Sequence, residues 1–203
     1  ILQTMKLRSF LLLCAFTAMG AVAQTAKSVL DQTASVLSRG CVVANFTARG
    51  AMGNSNGNIT VQGKKFVLTS PQARIWFDGK TEWSLAQGSG EVNVTNPSAS
   101  EIAGINPINF INLYKQGYNS TLSDKGATYE VHLTSSNKHN AIKEAYITIN
   151  KSNHHPQTVR LRTNTSNWST INIASLQSVG KKNDAFFRFN AKDFPKVEVV
   201  DMR

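Results

Sequence analysis

The segment Gly53-Asn54-Ser55-Asn56-Gly57 matches the G-x-S-x-G pattern of a catalytic serine. In hydrolases that serine sits on a sharp turn between a strand and a helix, where its hydroxyl can attack an acyl carbon. Here a strand-like stretch, residues 58–61, follows the motif, and glycines and asparagines surround it. The segment therefore predicts a hairpin loop rather than a nucleophile.

Four histidines could suggest a metal site, since His154 and His155 are adjacent and His132 and His139 precede them. Adjacent residues on an extended chain point to opposite sides, so they rarely bind one ion together. Pro156 follows the pair, which indicates a solvated turn. We therefore predict no metal site.

No other pattern favours catalysis or a cofactor. Gly88-Ser89-Gly90 leads into a strand, whereas a phosphate-binding loop leads into a helix. The acidic residues are spread along the chain and form no acid–base pair. We predict no enzyme activity, no catalytic residues and no cofactor.

Residues 5–23 have the features of a secretory signal peptide. Met5-Lys6-Leu7-Arg8 is positively charged, residues 9–19 are mostly apolar, and Ala21-Val22-Ala23 is a small-x-small cleavage site. We expect residues 1–23 to be removed and residues 24–203 to form one exported domain, a size that can bury a single core.

Lys and Arg outnumber Asp and Glu by 22 to 12. The basic residues are scattered, and an exported protein does not meet nucleic acid, so we exclude nucleic-acid binding. An anionic membrane surface, an acidic partner or a merely solvated surface stays open. Cys41 is the one cysteine outside the signal peptide, so no internal disulfide is expected.

Two helices and about eleven strands are predicted. Val29, Leu30, Ala34, Val36 and Leu37 recur at helical spacing before Gly40, and a second helix begins near Asn106-Pro107 and ends at Gly117. Period-two patterns predict strands over 41–48, 57–62, 64–70, 73–78, 80–86, 90–95, 127–134, 142–150, 157–163, 168–174 and 184–190, and 196–200 is a further candidate.

The resulting fold class is mainly β (α+β). Hairpin connections indicate one antiparallel sheet that is strongly curved, with an N-terminal helix and an inserted helix covering its concave apolar face. Asp78-Gly79 predicts a two-residue hairpin turn.

Three stretches are more specific than these patterns. They are 57–68 (GNITVQGKKFVL), 75–85 (IWFDGKTEWSL) and 91–95 (EVNVT). Together with the Asp-Gly-Lys-Thr-x-Trp hairpin at residues 78–83, they resemble the outer-membrane lipoprotein carrier family, LolA. The resemblance is strong over residues 42–115 and rests on the strand pattern alone after residue 125.

The resemblance implies an unclosed half-barrel with helices as a lid over an apolar cavity. Such proteins are monomeric periplasmic carriers without enzyme activity. They take the acyl chains of lipoproteins from an inner-membrane ABC transporter complex that releases them. They deliver the cargo to the outer membrane, often through a receptor of similar fold.

On this basis we expect acyl chains to contact one set of strand and helix side chains. They are Phe46, Val61, Phe66, Leu68, Ile75, Phe77, Trp83, Leu85, Phe110 and Leu113. The family's best-known members carry an Arg-Pro pair where this chain has Lys64-Lys65, so these lysines are possible lid contacts. Lysine lacks the planar donor fork of arginine.

Three alternative functions stay open. A half-barrel could carry a free lipid or glycolipid, or act as a periplasmic sensor module that binds a segment of a membrane protein. A structural β-domain with a filled core is the third alternative, since periodicity does not distinguish a packed face from a cavity.

Overall fold

The computed structural model describes residues 24–51, 53–98, 101–102 and 109–203, except the side chains of Asn109 and Phe110. The expected signal peptide and the Asn106-Pro107 helix start lie outside these residues. Helix α1 spans Ala26–Ser38. Thr25 and Ser28 cap its start, because each side chain accepts a hydrogen bond from the other's backbone N–H. Gly40, with a φ of 101°, follows its end, as the sequence predicts.

Twelve strands in the described part of the chain form one sheet. They are Cys41–Gly50 (β1), Ser55–Gln62 (β2), Lys65–Thr69 (β3), Ala73–Phe77 (β4), Glu82–Ala86 (β5), Glu91–Thr95 (β6), Tyr118–Lys125 (β7), Thr128–Ser135 (β8), Glu144–Asn150 (β9), Pro156–Arg162 (β10), Trp168–Val179 (β11) and Glu198–Asp201 (β12). The spatial order is β12-β6-β5-β4-β3-β2-β1-β11-β10-β9-β8-β7. The pairs are antiparallel except β12 with β6, which is parallel.

The sheet is unclosed and strongly curved, which confirms the predicted fold class. Helix α1 contacts both β1 and β7, which stand five positions apart in the strand order. In a flat sheet five steps would span roughly 24 Å, about twice the diameter of a helix. The sheet therefore wraps around α1.

Apolar side chains of the concave face and its helices form one group, which we call the inner cluster. Its buried members are Ala26, Val29, Leu30, Leu37, Val42, Ala44, Phe46, Ile59, Val61, Phe66, Leu68, Phe77, Ile102, Ile111, Leu113, Val131, Leu133, Ile142, Ala145, Ile147, Ile149, Val159, Leu161 and Ile171. Strand residues two apart recur in this group, which is the alternation expected of a sheet with one covered face.

A 3-10 helix over Asn109–Lys115, which we call the lid segment, lies within the second predicted helix. Gly117, with a φ of 78°, ends it as expected. Strand β7 follows at once, and the sequence patterns do not predict it. Its residues alternate only between exposed and half-buried, because β7 is an edge strand with little apolar surface to signal its face.

The prediction of a strand over residues 184–190 is wrong. Residues Asp184–Phe187 form a 3-10 helix capped by the side chain of Asn183, which accepts a hydrogen bond from the backbone N–H of Phe186. Residues Ala191–Asp193 form a second 3-10 turn. This C-terminal segment, residues 184–203, lies against the convex face of the sheet. There Phe187 is buried with Val67 and Trp76, a group we call the outer cluster.

The β4–β5 hairpin turns one residue later than expected. The backbone N–H of Asp78 donates to the carbonyl of Thr81 at 3.1 Å, so Gly79 and Lys80 are the turn residues. The Asp78 carboxylate accepts from the backbone N–H groups of both Lys80 and Thr81, which holds this geometry. Of the two turn residues, Gly79 has a positive φ, so the positive φ expected at both turn positions is not needed.

No helix in the described ranges combines the length and the hydrophobicity that crossing a membrane demands.

Candidate functional site

The concave face brings together seven of the side chains predicted to line a cavity. Phe46, Val61, Phe66, Leu68, Phe77 and Leu113 are buried in the inner cluster, and Ile75 is half-buried against it. Phe66 and Phe77 lie opposite each other on β3 and β4, with ring centroids 5.3 Å apart. The side chain of Phe110 lies outside the described residues. That these residues contact acyl chains stays a prediction.

Two helical elements cover this face. Val29 and Leu30 of α1 are fully buried against the strands. Ile111 and Leu113 of the lid segment join the same cluster, and the lid segment contacts both α1 and β7. Because α1 is amphipathic and exposes its other side, it can be held on the sheet by this one apolar stripe.

A short hydrogen bond joins the two covering elements. The Tyr114 hydroxyl of the lid segment donates to the Asp31 carboxylate of α1, which also pairs with Lys27 Nζ at 2.8 Å. The hydrogen bond from Lys27, and next that from Tyr114, holds the pKa of Asp31 below its ordinary value. Burial and the Asp31 carboxylate raise the pKa of the Tyr114 hydroxyl. The tyrosine therefore stays protonated and able to donate.

A side-chain hydrogen bond links the start of this cover to the strands. The Tyr129 hydroxyl of β8 donates to the Gln24 side-chain oxygen, just before α1, at 3.1 Å. Since such a bond is worth about 1 kcal/mol, it holds the cover weakly and apolar burial holds most of it.

The concave face becomes polar toward β5 and β6. Glu82 lies opposite Phe77, and Ser84 lies opposite Ile75, so both share the face of the inner cluster. Thr95 and Asn93 on β6 continue the same rows. An apolar surface thus passes into a polar end at which Glu82 is buried.

Comparison with known proteins decides the family. A family model described as outer membrane lipoprotein carrier protein LolA matches residues 16–165. The chain belongs to the LolA family. A search of the curated proteins finds no match.

Several solved structures are similar to this LolA-family chain. A conserved protein from Thermus thermophilus is 10% identical, with a TM-score of 0.59 over 87% of this chain and 98% of its own. A LolA superfamily protein from Nitrosomonas europaea is 12% identical, with a TM-score of 0.48 over 82% of this chain and 99% of its own. The MucA/MucB complex of Pseudomonas aeruginosa contains a chain that is 12% identical, with a TM-score of 0.48 over 82% of this chain and 62% of its own.

The placement of Trp83 and Leu85 in the LolA-type cavity is wrong. Both pack against the outer cluster on the convex face. Trp83 lies directly opposite Trp76. In this hairpin each odd-numbered residue of one strand faces an even-numbered residue of the other, and facing residues lie on the same side of the sheet. Trp83 and Leu85 therefore share a face with Trp76, while Ile75 and Phe77 point to the other.

Among the described residues, Lys65 pairs with the C-terminal segment rather than with α1 or the lid segment. It alternates with Phe66 on β3 and so points to the convex face, where its Nζ lies 2.5 Å from the Asp184 carboxylate of the C-terminal segment. Lys64 is exposed in the β2–β3 turn. Its contact with the lid stays a prediction.

The motifs tested for chemistry have structural roles. Ser55 begins β2, and its hydroxyl donates to the Gln72 side chain at 3.0 Å, so the G-x-S-x-G segment is part of a hairpin, as expected. His154 and His155 lie between β9 and β10, as expected of a turn. His132 lies 2.8 Å from Glu144 and stacks on Tyr146.

Proposed function

We propose that the chain is a periplasmic carrier that binds the acyl chains of lipoproteins on its concave face. We further propose that it is a monomer. It receives this cargo from an inner-membrane ABC transporter complex and delivers it to the outer membrane, through a receptor where one is present. The observation that supports this best is the cover of α1 and the lid segment over a curved apolar face. The LolA-family match supports the same function.

The energetics explain why such a cargo needs a carrier. Burying a methylene group is worth about 0.8 kcal/mol, so one acyl chain of ~15 methylenes costs roughly 12 kcal/mol to expose to water. A lipoprotein with two or three chains does not leave a membrane unaided at a useful rate. A protein that shields these chains between two membranes removes that barrier.

Binding on this face requires the cover to move. Val29 and Leu30 of α1 and Ile111 of the lid segment are almost fully buried against the strands. Acyl chains can reach Phe66 or Ile147 only if they replace these side chains. Apolar contact with the cargo offsets the contact that α1 and the lid segment lose, so opening and binding are coupled.

The direct test uses residues 24–203 and a purified triacylated lipoprotein in detergent. After detergent removal, the lipoprotein is expected to stay soluble and to elute from a sizing column with the carrier at one-to-one stoichiometry. The same lipoprotein with its acylated cysteine replaced by serine should elute alone. Precipitation of the acylated form in the presence of the carrier would overturn the proposal. A free lipid or glycolipid co-purified with the carrier, identified by mass spectrometry, would point to that alternative cargo.

Tyr114→Phe should open the cover more often. It removes the hydroxyl that donates to Asp31 and keeps the ring, so the closed state loses a charge-assisted bond of about 1.5–3 kcal/mol. Because the open state binds acyl chains, we expect the affinity for a fluorescent fatty-acid probe to rise roughly tenfold. Titration of probe fluorescence measures the change.

Tyr146→Phe is the matched control. Its hydroxyl also donates to a carboxylate, that of Glu144 at 3.3 Å, but the ring stacks on His132 away from α1 and the lid segment. Probe affinity should stay within about twofold of the wild type, a difference of about 0.4 kcal/mol. Equal effects of the two variants would show that the Tyr114–Asp31 bond does not control access.

A further inference from the structure

Glu82 is a buried residue with one carboxyl oxygen, Oε2, that has no hydrogen-bond partner among the described residues. Its side chain lies on β5 at the polar end of the concave face, and the residue is 8% exposed. Within the described part of the chain its Oε2 atom has no contact with water and accepts no hydrogen bond. Burying an unsatisfied polar group costs stability, so such a group usually has a functional reason.

A cavity of about 440 Å³ lies beside Glu82, between the end of β6 and the last residues of the chain. Glu101, Asn96, Met202 and Arg203 are among its other walls. Each of the three polar residues has one group already engaged. Glu101 accepts from Ser98 at 2.7 Å, Asn96 accepts from Thr81 at 3.0 Å, and Arg203 pairs with Asp201. Glu82 Oε2 is the buried acceptor of this cavity that no described residue satisfies.

The cavity adjoins the apolar surface. Glu82 lies directly opposite Phe77, a member of the inner cluster, and Ile102, next to Glu101, belongs to the same cluster. A ligand with its acyl chains on the inner cluster could therefore place a polar head at Glu82. A carboxyl group there calls for a donor, and both Glu82 and Glu101 disfavour an anionic head.

We infer that Glu82 accepts a hydrogen bond from an N–H group in the head of the acylated ligand. This inference rests on the proposed function, since it assumes that acyl chains occupy the concave face. The lipid-modified N-terminal residue of a lipoprotein offers such a donor, as a free α-ammonium group or, once acylated, as an amide N–H. Phosphatidylethanolamine offers an ammonium group from a different source.

Four ligands that share two palmitoyl chains test the inference. They are a dipalmitoyl lipopeptide with a free α-amino group, the same lipopeptide N-palmitoylated, dipalmitoyl phosphatidylethanolamine, and the O-methyl ether of dipalmitoylglycerol, which has neither an N–H nor an O–H donor. Each displaces a fluorescent fatty acid from the wild type, Glu82→Leu, Glu82→Gln and the control Glu91→Gln. Glu91 is an exposed carboxylate on the neighbouring strand β6.

Glu82→Leu should weaken the binding of both lipopeptides roughly tenfold or more, because hydrogen bonds to charged groups are the stronger ones. It should leave the binding of the dipalmitoylglycerol ether unchanged, because that ligand has no donor. Glu82→Gln keeps one acceptor oxygen, so it should lower the affinity of the free-amine form more than that of the N-palmitoylated form. Glu91→Gln should match the wild type. A selective loss for phosphatidylethanolamine alone supports the same acceptor role, with a phospholipid head as the source.

Two results are distinguishable failures. If the wild type binds all four ligands and Glu82→Leu changes them equally, the proposed function stands and the acceptor role of Glu82 is overturned. If none of the four ligands displaces the probe from the wild type, the proposed function itself fails. Circular dichroism of each variant confirms that it is folded before titration.

Discussion

Replacing Phe187 by alanine is expected to release the C-terminal segment from the convex face. Phe187 is fully buried in the outer cluster against Val67 and Trp76. Removing a buried phenylalanine ring costs about 3–5 kcal/mol. Phe189 and Phe194 also pack on Trp76, and two ion pairs tie the segment to the sheet, but Phe187 is the one buried residue of the segment. It should therefore detach locally while the rest of the sheet stays folded.

Changes in fluorescence, in proteolysis and in hydrogen exchange can detect this release. Trp76 is 3% exposed beneath the segment, so its fluorescence should shift to the red as water reaches the ring. Limited proteolysis should cut the variant after residue 180 and leave a stable core, and hydrogen exchange should accelerate in β12 but not in β8–β10.

Phe186→Ala provides the matched control. Phe186 is the neighbouring residue of the same type, but it is 37% exposed. We expect it to change stability by less than about 1 kcal/mol and to leave the Trp76 emission unchanged. Equal proteolysis of the two variants would contradict the anchoring role of Phe187.

The period-two pattern predicted most of the sheet because most strands bury one face only. In β8 and β9, Val131, Leu133, Ile147 and Ile149 alternate with half-buried or exposed residues, and the pattern reveals both the strand and its inner side. The N-terminal helix was equally clear, since its buried residues follow the helical period.

The same reasoning failed where both faces are covered. Ile75-Trp76-Phe77 is a continuous apolar run, because the inner cluster takes Ile75 and Phe77 while the outer cluster takes Trp76. The prediction assumed that each strand has only one apolar face, the concave one, and it therefore placed Trp83 and Leu85 on the wrong side of the sheet. The apolar alternation of Phe187 and Phe189 suggested a strand. Both rings pack in the outer cluster, but Phe187 is the last residue of a 3-10 helix and Phe189 follows that helix.

The polar parts of the candidate site were not predictable from local patterns. Asp31 and Tyr114 are 83 residues apart, and their hydrogen bond exists only because α1 and the lid segment meet over the sheet. Glu82 left one signal in the sequence. The register of the β4–β5 hairpin aligns it with Phe77, so a charged residue occupies a position on the apolar face.

Glu82 variants are expected to be more stable than the wild type. Since the Oε2 atom of Glu82 is buried without a hydrogen bond, Glu82→Leu should raise the free energy of unfolding at pH 7 by about 1–3 kcal/mol. Chemical denaturation measures this gain. Together with weaker lipopeptide binding, it would show that the protein retains an unfavourable group for the sake of its ligand.

The gain should depend on pH in a defined direction. Burial, and next the negative charge of Glu101, raise the pKa of Glu82 above its ordinary value of 4.5. The folded chain therefore keeps a proton on Glu82 at pH values where the unfolded chain has lost it. As pH rises from the unfolded pKa through the raised folded pKa, the wild type loses stability relative to Glu82→Gln. Asp31 and Glu144, whose pKa values are lowered, lose their contribution as pH falls.

The Asp31 and Glu144 carboxylates are present in both the wild type and Glu82→Gln. The difference in the free energy of unfolding between these two proteins therefore reports on Glu82 alone. Arg203 and Glu101 are the other charged groups at the same cavity. Glu101→Gln should reduce this stability difference, because it removes one cause of the raised pKa of Glu82. Denaturation midpoints at several pH values between about 4 and 8 should show a gap that is smallest in acid and grows toward neutral pH. A gap that stays constant, or that widens in acid, would mean that folding does not raise the pKa of Glu82. In that case a group of the protein itself would have to donate a hydrogen bond to Glu82 in the ligand-free carrier. Glu82 would then not be an unpaired acceptor for a ligand.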